Sequence, residues 1–481
     1  MRDDVCFRPA HELADLVRSR QLSPVELMEA CLDRIHRLDP VIRAFVTLRS
    51  EDALAEARQT ADRIARGDEV GPLAGLPLAV KDLEDVAGLP TTYCSLPFKD
   101  NVAQRDSVQV ARLKAAGAIV VGKTTTPEFG YTFFCRNLLT GATLNPWHPE
   151  RSPGGSSGGS AAAIASGMVP LATASDAGGS IRIPAAYTGC FGIKPQFGRV
   201  PMGPFDVIPW GGLTCYGPIT RTVMDAALYL DAVVGDHPSD PHSLPHPRYS
   251  YVERLREPLP RLRIAWSPTL GYAVVEPEVL REAEAAARAF QELGHEVDEV
   301  EDVFPDPAWA WGIVEGGAMW MRIADKVEKH HEEFGRGFLA MAERGRHVTQ
   351  EQYYRAQKVR ADLVNRLWQL FERYDLLLTP TVATEAVDAR GHLSMEIAGR
   401  QVENPLAYIP FTYPFNLSGH PAATVRAGFT EAGLPVGLQI VGPRLREDLV
   451  LQAAYAYEQA RPWAHHWPRD IGAQPSGASP S

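Results

Sequence analysis

None of the six cysteines (Cys6, Cys31, Cys94, Cys135, Cys190 and Cys215) of this 481-residue chain falls in a CxxC pair. That spacing excludes zinc-finger and thioredoxin-like readings and fits free, mostly buried thiols in a reducing cytoplasm. A basic excess is missing as well: 48 Lys and Arg stand against 59 Asp and Glu, a net charge of −11. That balance argues against nucleic acid or an anionic membrane as a main partner. No run approaches the ~20 apolar residues of a membrane span. The opening MRDDVCFRPA has no apolar core, so no secretory signal is expected. No HExxH-like ligand cluster occurs, so no metal is expected. Internal repeats and heptad runs are missing too.

What is present is an ordinary globular composition, 45% apolar and 22% charged, in a chain long enough for a large core. Residues 1–67 read as helices. Ser23-Pro24-Val25-Glu26 is a capping box with proline at the first helical position, and a further helix runs from Ser50 to a stop at Gly67. From residue 72 the pattern becomes short apolar strands alternating with helices. Strands are expected at Leu76–Val86, Ala118–Gly122 and Met168–Ala174, and helices at Val108–Ala116 and Ser160–Ser166. Such alternation predicts an α/β layer fold with strands buried on both sides. The apolar pattern returns at 376–470, so the core is expected to come from 72–235 and 376–470. Between them, 236–375 reads as an inserted, largely helical and aromatic-rich region, and 471–481 as a disordered tail.

Three short segments carry chemistry. Residues 152–185 read SPGGSSGGSAAAIASGMVPLATASDAGGSIRIPA and hold Ser156 and Ser180 in glycine-rich surroundings; Lys81 stands upstream in LAVKDLEDV. Glycines let backbone N–H groups converge on one point, which is what the oxyanion of acyl transfer requires. Lysine among apolar neighbours loses charge on burial and can then accept a proton. Other readings stay open on these residues alone. DAGGS is also a turn capped by Ser180, and Lys81 could pair with Asp82 or Asp85 on a strand edge. Gly154-Gly155-Ser156-Ser157-Gly158 matches the G-x-S-x-G nucleophile elbow, with His330, His347 and His420 downstream. GGSSGGS could also nest an anion, although it lacks the lysine of a phosphate loop.

These segments resemble the amidase signature family of serine hydrolases. So do GPLAGLPLAVKDLEDVAGLPTT, GKTTTPEFG, CFGIKPQFGRVP, GPITRTVMDAA, YPFNLSGHPAATV and GLPVGLQIVG. The resemblance covers nearly the whole chain. It implies one α/β/α sandwich domain over 1–470, built on a large mixed, mostly parallel twisted sheet. It also implies a catalytic triad of Ser180 as nucleophile, Ser156 as relay and Lys81 as base, without a cofactor. The peptide bond from Gly155 to Ser156 is expected to be cis. Backbone amides of Ala177, Gly178 and Gly179, with that of Ser180, would form the oxyanion hole. Gly155, Ser157, Asp176 and Arg182 would support them. The chain departs from the commonest pattern at Ala174-Ser175-Asp176-Ala177, where Gly-Thr-Asp-Thr is frequent, at Cys94, where glycine is usual, and at Thr125, where asparagine is frequent.

The implied reaction is hydrolysis of an amide C–N bond through a seryl acyl-enzyme, extending to carbamates and esters. Ile183 in place of a polar residue argues for an apolar or aryl group, with Tyr131, Phe133 and Trp210 as further walls. The amidase subunit of a tRNA-dependent amidotransferase is the alternative, and Ile183 speaks against it. A small-molecule substrate, a homodimer and a cytoplasmic setting complete the expectations.

Overall fold

A computed structural model describes residues 2–205, 211–469 and 471. The expectations for Trp210 and for the tail beyond residue 471 therefore lie outside the described residues. Eleven strands form one sheet. In chain order they are β1 (Phe45–Leu48), β2 (Pro77–Lys81), β3 (Ile119–Thr124), β4 (Leu171–Asp176), β5 (Phe191–Lys194), β6 (Cys215–Thr220), β7 (Arg263–Trp266), β8 (Glu296–Glu299), β9 (Leu376–Pro380), β10 (Ala422–Phe429) and β11 (Pro435–Val441). Their spatial order is β1-β3-β2-β4-β6-β5-β10-β11-β9-β7-β8. Parallel pairing is concentrated in two blocks, β3-β2-β4 and β9-β7-β8. The ladders between β4 and β9 run antiparallel, as does the edge strand β1. Every residue of β2, β3, β4, β9 and β11 is buried. Successive side chains of a strand point to opposite faces, so both faces of the sheet are covered. The cover is helical, from Gly158–Ala165, Arg182–Thr188, Pro277–Glu292 and Glu447–Ala460 among others.

Local signals explain the element ends. Ser23 caps the helix Pro24–Ile42, accepting from Val25 N–H while Glu26 accepts from Ser23 N–H. Gly67 closes the helix Ser50–Arg66 at φ 84°. The strand expected over Leu76–Val86 stops at Lys81, where Glu84 N–H turns back to Lys81 C=O at 3.0 Å. β4 runs two residues past the expected Ala174, to Asp176. Lys81 and Asp176 therefore both end strands of the first parallel block. The carboxyl edge of parallel strands is where α/β sheets place their ligands.

Residues 236–375, read from sequence as an inserted and largely helical region, also carry two strands. β7 and β8 lie within this segment and extend the sheet beyond β9, and helix Pro277–Glu292 packs on β9, β10 and β11. The later part is helical, over Ala308–Met321, Ala324–His330, Arg336–Arg346 and Gln350–Phe371. Ala308–Met321 and Arg336–Arg346 cross at glycines: a Cβ on Gly345 would lie 1.9 Å from the Gly316 carbonyl oxygen. Gly345→Ala should force these helices apart and cost about 1–3 kcal/mol by overpacking. Urea unfolding of the variant beside wild type measures it.

Candidate active site

β2 delivers Lys81 beside Ser156, and its side chain is fully buried. Nζ donates to Ser156 Oγ at 2.7 Å, to Ser175 Oγ at 3.0 Å and to Ser175 C=O at 3.3 Å. Among the described residues no carboxylate pairs with it. Asp82, the neighbour that could have done so, is bound at 3.1 Å to Lys123 on β3 and takes N–H bonds from Thr92 and Cys94. Burial without an ion pair pushes the Lys81 amine down to about 7, against partial opposition from the charges of Glu84 and Asp176.

The loop before helix Gly158–Ala165 supplies Ser156. The peptide bond between Gly155 and Ser156 is cis. Gly130 crosses close by at φ +76°, and a Cβ there would lie 3.0 Å from Ser156 Oγ and 2.9 Å from Leu83. Ser157 N–H donates to Ser180 C=O at 3.2 Å, and Ser157 Oγ to Ser175 C=O at 3.3 Å. These bonds draw both serine segments together at the end of β4. Ser180 is half-buried, and its hydroxyl has no hydrogen-bond partner among the described residues.

Between β4 and Ser180, residues 176–179 are fixed from three directions. Asp176 and Arg182 have fully buried side chains and meet at 2.9 Å. Arg182 makes five donations: Nε to Asp176 Oδ2, Nη2 to Asp176 Oδ1 and Asn416 Oδ1, and Nη1 to Thr412 C=O and Gln439 Oε1. Burial alone would raise the Asp176 carboxyl, but the Arg182 charge and hydrogen bonds outweigh it and hold the group well below the usual carboxylate range. Thr412 Oγ1 donates to Gly178 C=O at 2.6 Å, and the Trp311 indole N–H donates to Ala177 C=O at 2.8 Å. Not all the expected oxyanion-hole amides are open. Gly179 N–H donates to Asp176 Oδ1 at 2.7 Å. Amides of Ala177, Gly178 and Ser180 have no partner among the described residues.

The apolar wall residues divide. Ile183 and Phe133 are buried in one cluster with Tyr187, Ala186 and Tyr408; Phe133 stacks on Tyr408 at 5.6 Å. Tyr131 is half-buried and meets Phe338 edge-on at 5.6 Å. A cavity of about 700 Å³ opens beside this cluster, lined by Thr384, Tyr408, Glu276, Glu385 and Arg151 among others, and does not include the two serines or Lys81. No histidine among the described residues hydrogen-bonds either serine. His420 stacks on Phe371 at 5.3 Å and is held neutral by burial, its pKa pushed down to about 3. His330 pairs with Glu333, and His347 is exposed.

Several site residues were not picked out by the sequence pattern: Glu84, Ser175, Trp311, Thr412, Asn416 and Gln439. Asn416 and Gln439 lie in YPFNLSGHPAATV and GLPVGLQIVG, so the segments were marked but not the residues. Ser175 keeps a hydroxyl where threonine is frequent, so this departure preserves the Lys81 contact. Glu84 is fully buried, accepts from Gln109 at 2.8 Å, and leaves Oε1 without a partner among the described residues. Burial pushes its carboxyl up to about 7. Cys94 sits at φ 49°, a left-handed position that explains why glycine is usual there.

The amidase family model matches residues 26–451. Over 468 residues the chain is 39% identical to an acylamidase of Rhodococcus erythropolis, covering 96% of this chain and 97% of that protein. It is 36% identical to a glutamyl-tRNA(Gln) amidotransferase subunit of Thermosynechococcus vestitus, over 94% of this chain and 98% of that one. A bacterial aryl acylamidase of the amidase signature enzymes superposes with a TM-score of 0.91 at 31% identity, covering 98% of this chain and 99% of that one. A 6-aminohexanoate cyclic dimer hydrolase gives 0.88 at 31% identity, covering 96% and 99%. The chain belongs to the amidase signature family, whose hydrolases act on amide bonds.

Proposed function

We propose that this amidase works through Ser180 as nucleophile, Ser156 as relay and Lys81 as base, on amides with apolar or aryl groups. The observation that carries the reading is the 2.7 Å hydrogen bond between Ser156 and a buried amine with no carboxylate partner. A neutral Lys81 accepts the Ser156 proton while Ser156 takes that of Ser180. Ser180 Oγ adds to the amide carbonyl, and the oxyanion meets the open N–H groups of the 177–180 loop. Collapse breaks the C–N bond, and the proton returns through Ser156 to the departing amine. Water, deprotonated by the same relay, then releases the acid and frees Ser180.

The apolar preference is supported by the buried cluster of Ile183 and Phe133 and by the names of the relatives, an acylamidase and an aryl acylamidase. Carbamates and esters belong to the same proposal, as do a homodimer and a cytoplasmic setting. Identity of 36% to an amidotransferase subunit favours a second reading, transfer of ammonia to a glutamyl-tRNA within a complex. The two part on the free chain: only the hydrolase releases amine from a simple anilide.

A panel of aliphatic amide, anilide, carbamate and ester substrates tests the nucleophile. Wild type should turn over the anilide, and Ser180→Ala should lower that rate about 10⁴-fold or more. Lys81→Ala should lower it about 10²–10⁴-fold with folding intact by circular dichroism. Equal turnover by Ser180→Ala would remove it as the nucleophile. The pH–rate profile tests the base. The neutral amine is the active form, so the rate should climb as pH rises through about 7. The Glu84 charge favours protonated Lys81, so Glu84→Gln should shift this limb to lower pH. A limb moving upward would contradict the assignment.

A further inference from the structure

The oxyanion loop is anchored in part by a residue outside the family segments that carry the serines and the lysine. Trp311 stands in the first turn of helix Ala308–Met321, within the region read from sequence as an insert. Its indole Nε1 donates to Ala177 C=O at 2.8 Å. The ring lies flush on the loop: a Cβ built on Gly178 would come within 2.6 Å of Trp311 Cζ2 and 3.0 Å of Cε2. The ring is itself held. It meets Tyr413 at 6.0 Å between centroids, and Tyr413 donates its hydroxyl to Asp306 Oδ1 at 2.7 Å. Asp306 Oδ1 also accepts from Ala308 N–H at 2.8 Å, at the start of the same helix.

A trans peptide plane carries its C=O and the following N–H on opposite sides. Fixing one aims the other. Thr412 fixes Gly178 C=O, and the N–H of that plane, on Gly179, goes to Asp176. Trp311 fixes Ala177 C=O, and the N–H of that plane belongs to Gly178. This amide has no partner among the described residues. Of the two planes, the one held by tryptophan is the one whose donor stays open.

We propose that Trp311 is a positioning residue for catalysis: its indole N–H orients the Ala177–Gly178 peptide so that the Gly178 amide is presented to the oxyanion. This rests on Ser180 being the nucleophile. Gly178 N–H would bond the oxyanion more strongly than the ground-state carbonyl, so Trp311 acts on the transition state rather than on substrate binding. It also ties the insert to the chemistry, because displacement of helix Ala308–Met321 would release the loop.

Two variants separate the hydrogen bond from the packing. Trp311→Phe removes the N–H and part of the ring. Site-specific replacement of Trp311 by 3-benzothienylalanine keeps the bicyclic shape and puts sulfur where N–H was. Both should lower kcat on an anilide about 10- to 100-fold, short of the roughly 10²–10³ for deleting a donor outright. KM should stay within about twofold, and thermal midpoints should stay close to wild type. Affinity for an aryl trifluoromethyl ketone, which forms a tetrahedral adduct with the nucleophilic serine, should fall by the same factor as kcat. Affinity for the product acid should not change. Wild-type kcat in the benzothienyl variant would overturn the proposal even if Trp311→Phe fails to fold. A loss confined to KM would also overturn it, because Trp311 would then act on ground-state binding. Ser180→Ala runs in parallel. If it is inactive while both Trp311 variants are normal, only this inference falls. If it stays active, the nucleophile assignment falls and this inference with it.

Discussion

Arg182 and Asp176 meet with both side chains closed off from solvent, and the loop between them takes its shape from that pair. A buried charge without partners costs several kcal/mol, so removing one member of such a pair is far worse than replacing both. Here the geometry is saturated. The guanidinium makes five donations and reaches Asn416 and Thr412 in one segment and Gln439 in β11. The Asp176 carboxylate accepts from Gly179 and Ile181 as well as from Arg182. One ion pair thus joins the end of β4, the start of helix Arg182–Thr188 and two segments more than 200 residues away, and Ser180 lies inside that frame.

Lysine chemistry in the site depends on what each amine faces. Lys81 and Lys123 sit on adjacent parallel strands, and both are fully buried. Lys123 has Asp82 at 3.1 Å. Lys81 has only neutral oxygen acceptors, and its basicity falls to about 7. Desolvation lowers the Lys81 amine because the hydroxyls and carbonyl around it do not offset the loss of water as a paired carboxylate would.

The three departures from the commonest family pattern have local reasons or local substitutes. Ser175 retains the hydroxyl that Lys81 binds. Thr125 is buried and shares hydrogen bonds with Thr143 and the Arg43 carbonyl. Cys94 occupies a left-handed position at some conformational cost, and its thiol accepts the Thr126 N–H at 3.3 Å. None displaces a group from the cluster around Lys81.

Sequence by itself determined the helix caps at Ser23 and Gly67, the βα alternation, and the family, because these are written in contiguous residues and local backbone preferences. It also marked Lys81, Ser156 and Ser180, since glycine-rich loops and a lysine among apolar residues stand out against composition. Strand ends shifted by a few residues, and the place of β7 and β8 in the sheet was not legible, because neither periodicity nor turn residues encode which strand a segment pairs with. Contacts decided everything that joins distant segments. That Asp82 pairs with Lys123, that Arg182 reaches Asn416 and Gln439, and that Trp311 touches the Ala177 carbonyl all depend on chain segments brought together only by folding. Hydrogen bonds of that kind have no signature in the order of residues, since Arg182 and Gln439, for one, lie 257 positions apart.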